Sequence, residues 1–130
     1  MINVYTSIVG DLFHVGHLNL LLRAKELGDY LIVGVITDEA VEKYKRKPII
    51  PTCERLKIIQ AISCVNEVIL QHSRDGTDNL KKFSIDILVR GNDALLQDEV
   101  DYIQSNGGRF VQIARTLNVS TTEIIKKIKR

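Results

Sequence analysis

The chain has 130 residues, 45% of them apolar and 26% charged, with a formal net charge of +2. That is enough for one domain with a proper core, spanning 1–130, and too little for two. The near-neutral balance excludes the cationic excess of a nucleic-acid-binding protein, and no apolar run approaches the roughly 20 residues of a membrane helix.

The opening "MINVYTSIVG" has neither a basic leader nor a small-residue cleavage site, so it does not read as a signal peptide. It is β-branched and aromatic instead, a strand by composition. "HLNLLLRAKELGD" follows with Leu18, Leu21, Leu22 and Leu27 on one stripe, a helix expected to end at Gly28. "YLIVGVIT" is a continuous apolar run, as a strand buried on both faces of a parallel sheet requires. "PTCERLKIIQAISCV" reads as a helix with Thr52 as its N-cap, and "NEVILQ" as the third strand. "DNLKKFS" and "LLQDEVDYIQSNGG" supply helices on either side of the strand "IDILVRG", the second closed by Gly107-Gly108. "RFVQIA" is the fifth strand. "STTEIIKKIKR" then starts a last helix, with Glu123 three residues after Ser120 in capping-box spacing. Its basic end suits the negative pole of the helix dipole.

Five strands alternating with helices predict an α/β fold, a Rossmann-like doubly wound sheet of five parallel strands with helices on both faces. Ligands of such sheets sit beyond the carboxyl ends of the strands, where strand order reverses. The first strand-to-helix junction borders that crevice, and there the sequence reads "DLFHVGH". The helix beginning near Gly16 offers unpaired N–H groups and a positive dipole end, and Gly16 lets a phosphate approach the backbone. His14 and His17, three apart across the turn, can address the same oxygens. Two imidazoles at a helix start suit a phosphoryl group gaining charge in a transition state. They suit a metal less well, because the only other histidine, His72, lacks ligand-type spacing. No metal ligand is therefore predicted from protein side chains. Cys53 and Cys64 also lack metal spacing, and a reduced, cytoplasmic setting is expected. Ser120, Thr121 and Thr122 provide hydroxyls at a second helix start, and Arg115 a forked donor, together a second phosphate cradle. A redox dinucleotide site is disfavoured, since no G-x-G-x-x-G follows the first strand.

"DLFHVGH" resembles the HxGH signature of the cytidylyltransferase family within the nucleotidylyltransferase superfamily. "RTLNVSTTEI" resembles that family's second signature, and "LVRGND" its Gly-Asn/Asp-Asp segment. "RAKELGDYLIVGVITDE" follows the family consensus, so the resemblance covers nearly the whole chain. It implies that His14 and His17 contact the nucleotide phosphates and stabilise the pentacovalent α-phosphorus. It implies that Arg115, Thr116, Val119 and Ser120 to Thr122 hold the β- and γ-phosphates, and that Gly91, Asn92 and Asp93 lie against base and ribose. Val9, Gly10, Asp11, Val15 and Gly16 complete the expected nucleotide site. Lys45 falls ten residues before Arg55, as does the family lysine that bridges nucleotide and acceptor. With its basic neighbours Arg46 and Lys47, it is expected to meet the acceptor phosphate. Arg55 reads as a further phosphate contact or as a helix-surface ion pair. Mg²⁺ is expected with the triphosphate, and a homodimer is expected from the family alone.

The activity so implied is transfer of CMP from CTP to an alcohol phosphate, glycerol 3-phosphate first and ethanolamine phosphate second, with release of pyrophosphate. "NGGRFVQI" and "STTEIIKKI" are similar to the heptose-phosphate adenylyltransferase branch, so transfer from ATP to a sugar phosphate or flavin mononucleotide is the rival. Four departures separate the chain from the pattern. Ile8-Val9-Gly10 stands where the family glycine comes first, so that either Ile8 crowds the triphosphate or Gly10 restores the room. "SCVNEV", with Ser63 and Asn66, lacks an arginine, Asn118 replaces a glycine, and the basic loop differs. The Ile8-Val9-Gly10 and Ser63 departures motivate a third reading, a nucleotide-binding module without catalysis.

Overall fold

The computed structural model describes residues 1–91, 95–114, 116 and 119–130. Eleven elements run in order: β1 (Asn3–Ile8), α1 (Val15–Glu26), β2 (Tyr30–Ile36), α2 (Asp38–Glu42), α3 (Thr52–Gln60), β3 (Glu67–Gln71), α4 (Thr77–Lys82), β4 (Ile87–Gly91), α5 (Gln97–Ser105), β5 (Arg109–Ile113) and α6 (Thr121–Lys129). All four strand pairings are parallel, in the order β3-β2-β1-β4-β5. The order reverses between β1 and β4, which opens the crevice expected of a doubly wound sheet.

Alternation along the strands sorts the helices between the faces. Val4 and Ile8 of β1, with Val33, Val35, Ile87, Val89 and Ile113, pack against Leu21 and Ala24 of α1 and Ile59 of α3. Tyr5, Ile32 and Leu88 point the other way, onto Leu80 of α4 and Ile103 of α5. Leu21 and Ile59 are wholly buried. Truncating either to Ala is expected to cost about 2–5 kcal/mol, the lost transfer plus the cavity left behind. The strand ends on the second face are braced by polar contacts. Tyr5 Oη donates to Gln71 Oε1, and Arg90 pairs with the fully buried Glu99, whose Oε1 also accepts from Gly76 N–H at 2.6 Å.

Three local expectations are refined. The five-residue α2 was not foreseen; Thr37 caps it, its hydroxyl accepting from Ala40 N–H at 3.3 Å. Thr52 is not the cap of α3. Pro51 holds that place, and the Thr52 hydroxyl instead accepts from Asp38 N–H at 2.9 Å. Ile8 does not crowd the crevice, because it ends β1 with its side chain in the core. Gly10 and Leu12 of this turn both have left-handed backbone; at Gly10, with φ of +69°, a Cβ would also stand 2.9 Å from Ile59.

Candidate active site

A cavity of about 470 Å³ lies at the carboxyl ends of β4 and β5, between α1 and the start of α6. The β1–α1 turn reaches it through His14, which is the N-cap of α1. His14 Nδ1 accepts from Gly16 N–H at 3.0 Å, and His17 Nδ1 accepts from His14 N–H at 3.1 Å. Each ring nitrogen that takes a backbone proton leaves the other, Nε2, to carry hydrogen in the neutral imidazole. The two rings stack at 3.9 Å between centroids, with Phe13 against His17 at 5.3 Å. A Cβ on Gly16 would come within 2.8 Å of His14 Cε1, so the glycine keeps that ring on the helix end. Burial first, then the positive charges of His14 and Lys45, push the His17 pKa down to about 4 against the opposing pull of Asp11. Burial also lowers His14. At neutral pH the pair is a double N–H donor without net charge.

The opposite wall is the start of α6. Ser120 Oγ accepts from Glu123 N–H at 3.0 Å as the foreseen cap, and Thr116, Val119, Ser120, Thr121 and Thr122 all line the cavity. The Thr121 hydroxyl donates to the Asp11 carbonyl at 2.8 Å, tying the start of α6 to the β1–α1 turn.

Beside the cavity lies a recess of about 40 Å³ lined by Val9, Asp11, His17, Val41, Lys45, Arg46, Pro48 and Thr121. Lys45, His17 and Thr121 border both spaces. The Asp11 carboxylate accepts from Ile49 N–H and Ile50 N–H, each at 2.9 Å, and pairs with Arg46 at 3.2 Å. Burial alone would raise its pKa, but the two backbone donors and Arg46 outweigh that and hold it below its ordinary value. Asp11 thus anchors the basic loop.

Arg55 corrects the sequence reading. It is fully buried, so it is no helix-surface ion pair. It donates from Nε to Ile50 O, from Nη1 to Val9 O and Ile36 O, and from Nη2 to Asp38 Oδ1 and the Thr52 hydroxyl. A guanidinium has five N–H donors, and all are committed, which leaves none for a substrate phosphate. Its function is to join the ends of β1 and β2 to α2 and the basic loop.

His14, Gly16, His17, Lys45, Gly91 and the 119–122 run therefore share one cavity. Gly10 is buried beneath the turn. Val15 opens α1 with its side chain outside the lining, and Lys47 is exposed and borders neither space. Asn92, Asp93, Arg115 and Asn118 lie outside the described residues. Reading the sequence missed Asn19, Leu20, Arg23, Ile113, Ala114 and Glu123, which complete the lining. The signal was present for α1: residues 16, 19, 20 and 23 repeat at helical spacing from the foreseen Gly16.

The lining supplies N–H donors, hydroxyls and cations, with the exposed Glu123 as its carboxylate. Among the described residues no three His, Cys, Asp or Glu side chains gather into a metal-binding group. Such a surface fits Mg²⁺ carried on triphosphate oxygens with its own waters, the usual form for this ion, better than Mg²⁺ caged by protein.

The family model for cytidylyltransferase-like proteins matches residues 11–127, from the aspartate that anchors the basic loop to the last helix. The chain belongs to the cytidylyltransferase-like family. It is 37% identical to the ethanolamine-phosphate cytidylyltransferase of Mus musculus over 98% of this chain and 33% of that protein. It is 36% identical to the bifunctional protein HldE of Citrifermentans bemidjiense, over 96% of this chain and 26% of that one. This cytidylyltransferase-like chain thus spans 26–38% of the length of curated relatives such as these. Among solved structures, the lipopolysaccharide core biosynthesis protein of Thermoplasma volcanium GSS1 superposes with a TM-score of 0.77 at 28% identity, covering 89% of this chain and 97% of that one. No helix among the described residues is long and apolar enough to cross a membrane.

Proposed function

We propose that the chain transfers CMP from CTP to an alcohol phosphate. A phosphate oxygen of the acceptor attacks the α-phosphorus in line, a new P–O bond forms, the bond to the bridging α–β oxygen breaks, and pyrophosphate leaves. The observation that carries this reading is the pair of helix starts, α1 and α6, on one cavity with two neutral imidazoles between them. The His14 and His17 N–H groups suit the equatorial oxygens at the α-phosphorus, where charge grows. The α6 start and the Ser120 to Thr122 hydroxyls suit the β- and γ-phosphates. Lys45, bordering both cavity and recess, suits the acceptor phosphate. A phosphate nucleophile is ionised at neutral pH, so no general base is needed, and positioning with charge stabilisation supplies the rate. Mg²⁺ belongs to this scheme as part of the nucleotide substrate.

The named relatives support ethanolamine phosphate as acceptor ahead of glycerol 3-phosphate. Adenylyl transfer from ATP to a sugar phosphate is the second reading. It is favoured by the heptose-type motifs and by 33–36% identity to HldE proteins.

The test is pyrophosphate release with Mg²⁺, crossing CTP and ATP against ethanolamine phosphate, glycerol 3-phosphate and sugar phosphates, with His17→Ala alongside. Release with CTP and one acceptor, lost in the variant, is expected. Release with ATP alone replaces the first reading by the second. Nucleotide binding without release from any pair overturns both in favour of a binding module.

A further inference from the structure

The cavity is chemically two-sided. His14, His17, Lys45 and the α6 start are donors and cations for phosphate. In the same lining, Leu20, Ile113, Ala114 and Gly91 provide apolar walls and a bare backbone, suited to a flat base and ill suited to an anion. One wall carries polar and apolar residues together. It is the face of α1 formed by Gly16, Asn19, Leu20 and Arg23. From His17 to Arg23 the helix rises about 9 Å at 1.5 Å per residue. A base lying along α1 beyond the imidazoles would therefore come to Arg23.

The two polar side chains on this wall differ in what they have left to offer. Asn19 Nδ2 donates to Thr116 Oγ1 at 3.1 Å, so its amide is committed to holding the β5–α6 segment. Arg23 is exposed and makes no hydrogen bond or ion pair with a described residue, while bordering the cavity. Its position in the last turn of α1 lets it complement the helix dipole, but that role is met by any cation and needs no cavity.

We propose that Arg23 is the residue that selects the base, reading the O2 and N3 acceptors of cytosine with its guanidinium fork. This rests on the nucleotidyl-transfer reading of the site. Cytosine sets two acceptors side by side on its pairing edge, the arrangement that a planar fork matches bidentately. Adenine sets N1 beside an amino group, so the fork gains one bond and meets donor hydrogens at the other position. A site that hydrogen-bonds the correct substrate rejects an analogue lacking that group more strongly than an apolar pocket does. Arg23 is thus a specificity residue distinct from the histidines, which meet the same phosphates in CTP and ATP.

The experiment measures kcat/KM for CTP and for ATP in the wild type, Arg23→Leu and Arg23→Lys, and the binding of CTP and of inorganic tripolyphosphate to all three by calorimetry. Arg23→Leu is expected to lower kcat/KM for CTP about 10- to 100-fold, the worth of hydrogen bonds from a charged donor, chiefly through KM. ATP and tripolyphosphate should change little. Arg23→Lys keeps the charge and loses the fork, so it should behave like Arg23→Leu. Equal losses for CTP and tripolyphosphate would make Arg23 a phosphate ligand and overturn the proposal, as would unchanged CTP kinetics. If no nucleotide turns over, the transfer reading fails by itself, and the CTP-against-tripolyphosphate binding difference still decides the part played by Arg23.

Discussion

The two helix-start walls of the cavity are built differently. On the β1–α1 side almost every polar group is already spent on the fold. His14 and His17 hold backbone N–H groups, Asp11 holds the basic loop, and Arg55 commits all five donors beneath them. On the other side α6 has no buried residue, and Ile128 is 73% exposed. Its first turn is tied to the opposite wall by the Thr121 hydroxyl. One wall is set by the fold before any substrate arrives, whereas the other has few packed contacts to hold it and belongs to the less stable part of the molecule. Under the proposed in-line transfer, the tightest geometric demand, at the α-phosphorus, would fall on the rigid histidine side, and the leaving pyrophosphate on the looser wall.

Breaking the rigid wall should cost most. Arg55→Met is expected to destabilise the fold by about 3–5 kcal/mol, because it removes a buried guanidinium and leaves three backbone carbonyls and the half-buried Asp38 carboxylate without their partner at once. Chemical denaturation would show it, and a loss under 1 kcal/mol would mean the five bonds do not anchor the strand ends. His17→Ala should leave the fold standing yet lower kcat about 10²- to 10³-fold, the usual loss for one donor to developing charge.

How far the sequence could have told this differs between the walls. The strands were legible because parallel strands buried on both faces demand unbroken apolar, β-branched runs, and "YLIVGVI" or "IDILV" fits little else. The histidine turn and the Ser-Thr-Thr helix start were legible because both stand where a strand hands over to a helix. Arg55 was not. In "PTCERLKII" an arginine on an amphipathic helix reads as surface, and only the tertiary arrival of the Val9, Ile36 and Ile50 carbonyls makes its burial favourable. Nor was α2, since five residues are too few to show a period, and Thr37 was the only sign of its start. Arg23 was passed over because a basic residue near a helix end already has an explanation in the dipole.

The pH dependence sharpens the contrast. His17 titrates near 4 in the folded chain and ordinarily near 6.5. A depressed histidine leaves stability at its full value above the unfolded pKa and removes it as pH falls toward the folded one. Over that window the loss should reach roughly 3 kcal/mol. Denaturation midpoints should therefore drop between pH 6.5 and 4 in the wild type and stay flatter in His17→Gln. Equal slopes would contradict a buried neutral imidazole. The smallest effect is expected at the looser wall. Thr121→Val removes one hydrogen bond, worth about 0.5–1.5 kcal/mol. It should raise the KM for nucleotide a few-fold with little change in Tm. A large fall in Tm would show that α6 is as firmly built in as α1.

Asp11 stands at the junction of both walls and the basic loop. Its carbonyl receives Thr121, 110 residues away, and its carboxylate receives Ile49 and Ile50. A nucleotide that draws the α6 start inward therefore acts on the same residue that fixes the loop bearing Lys45. Under the proposed transfer the two substrates would then not bind as independent events: whatever factor the nucleotide applied to the affinity for acceptor, the acceptor would return in equal measure to the nucleotide.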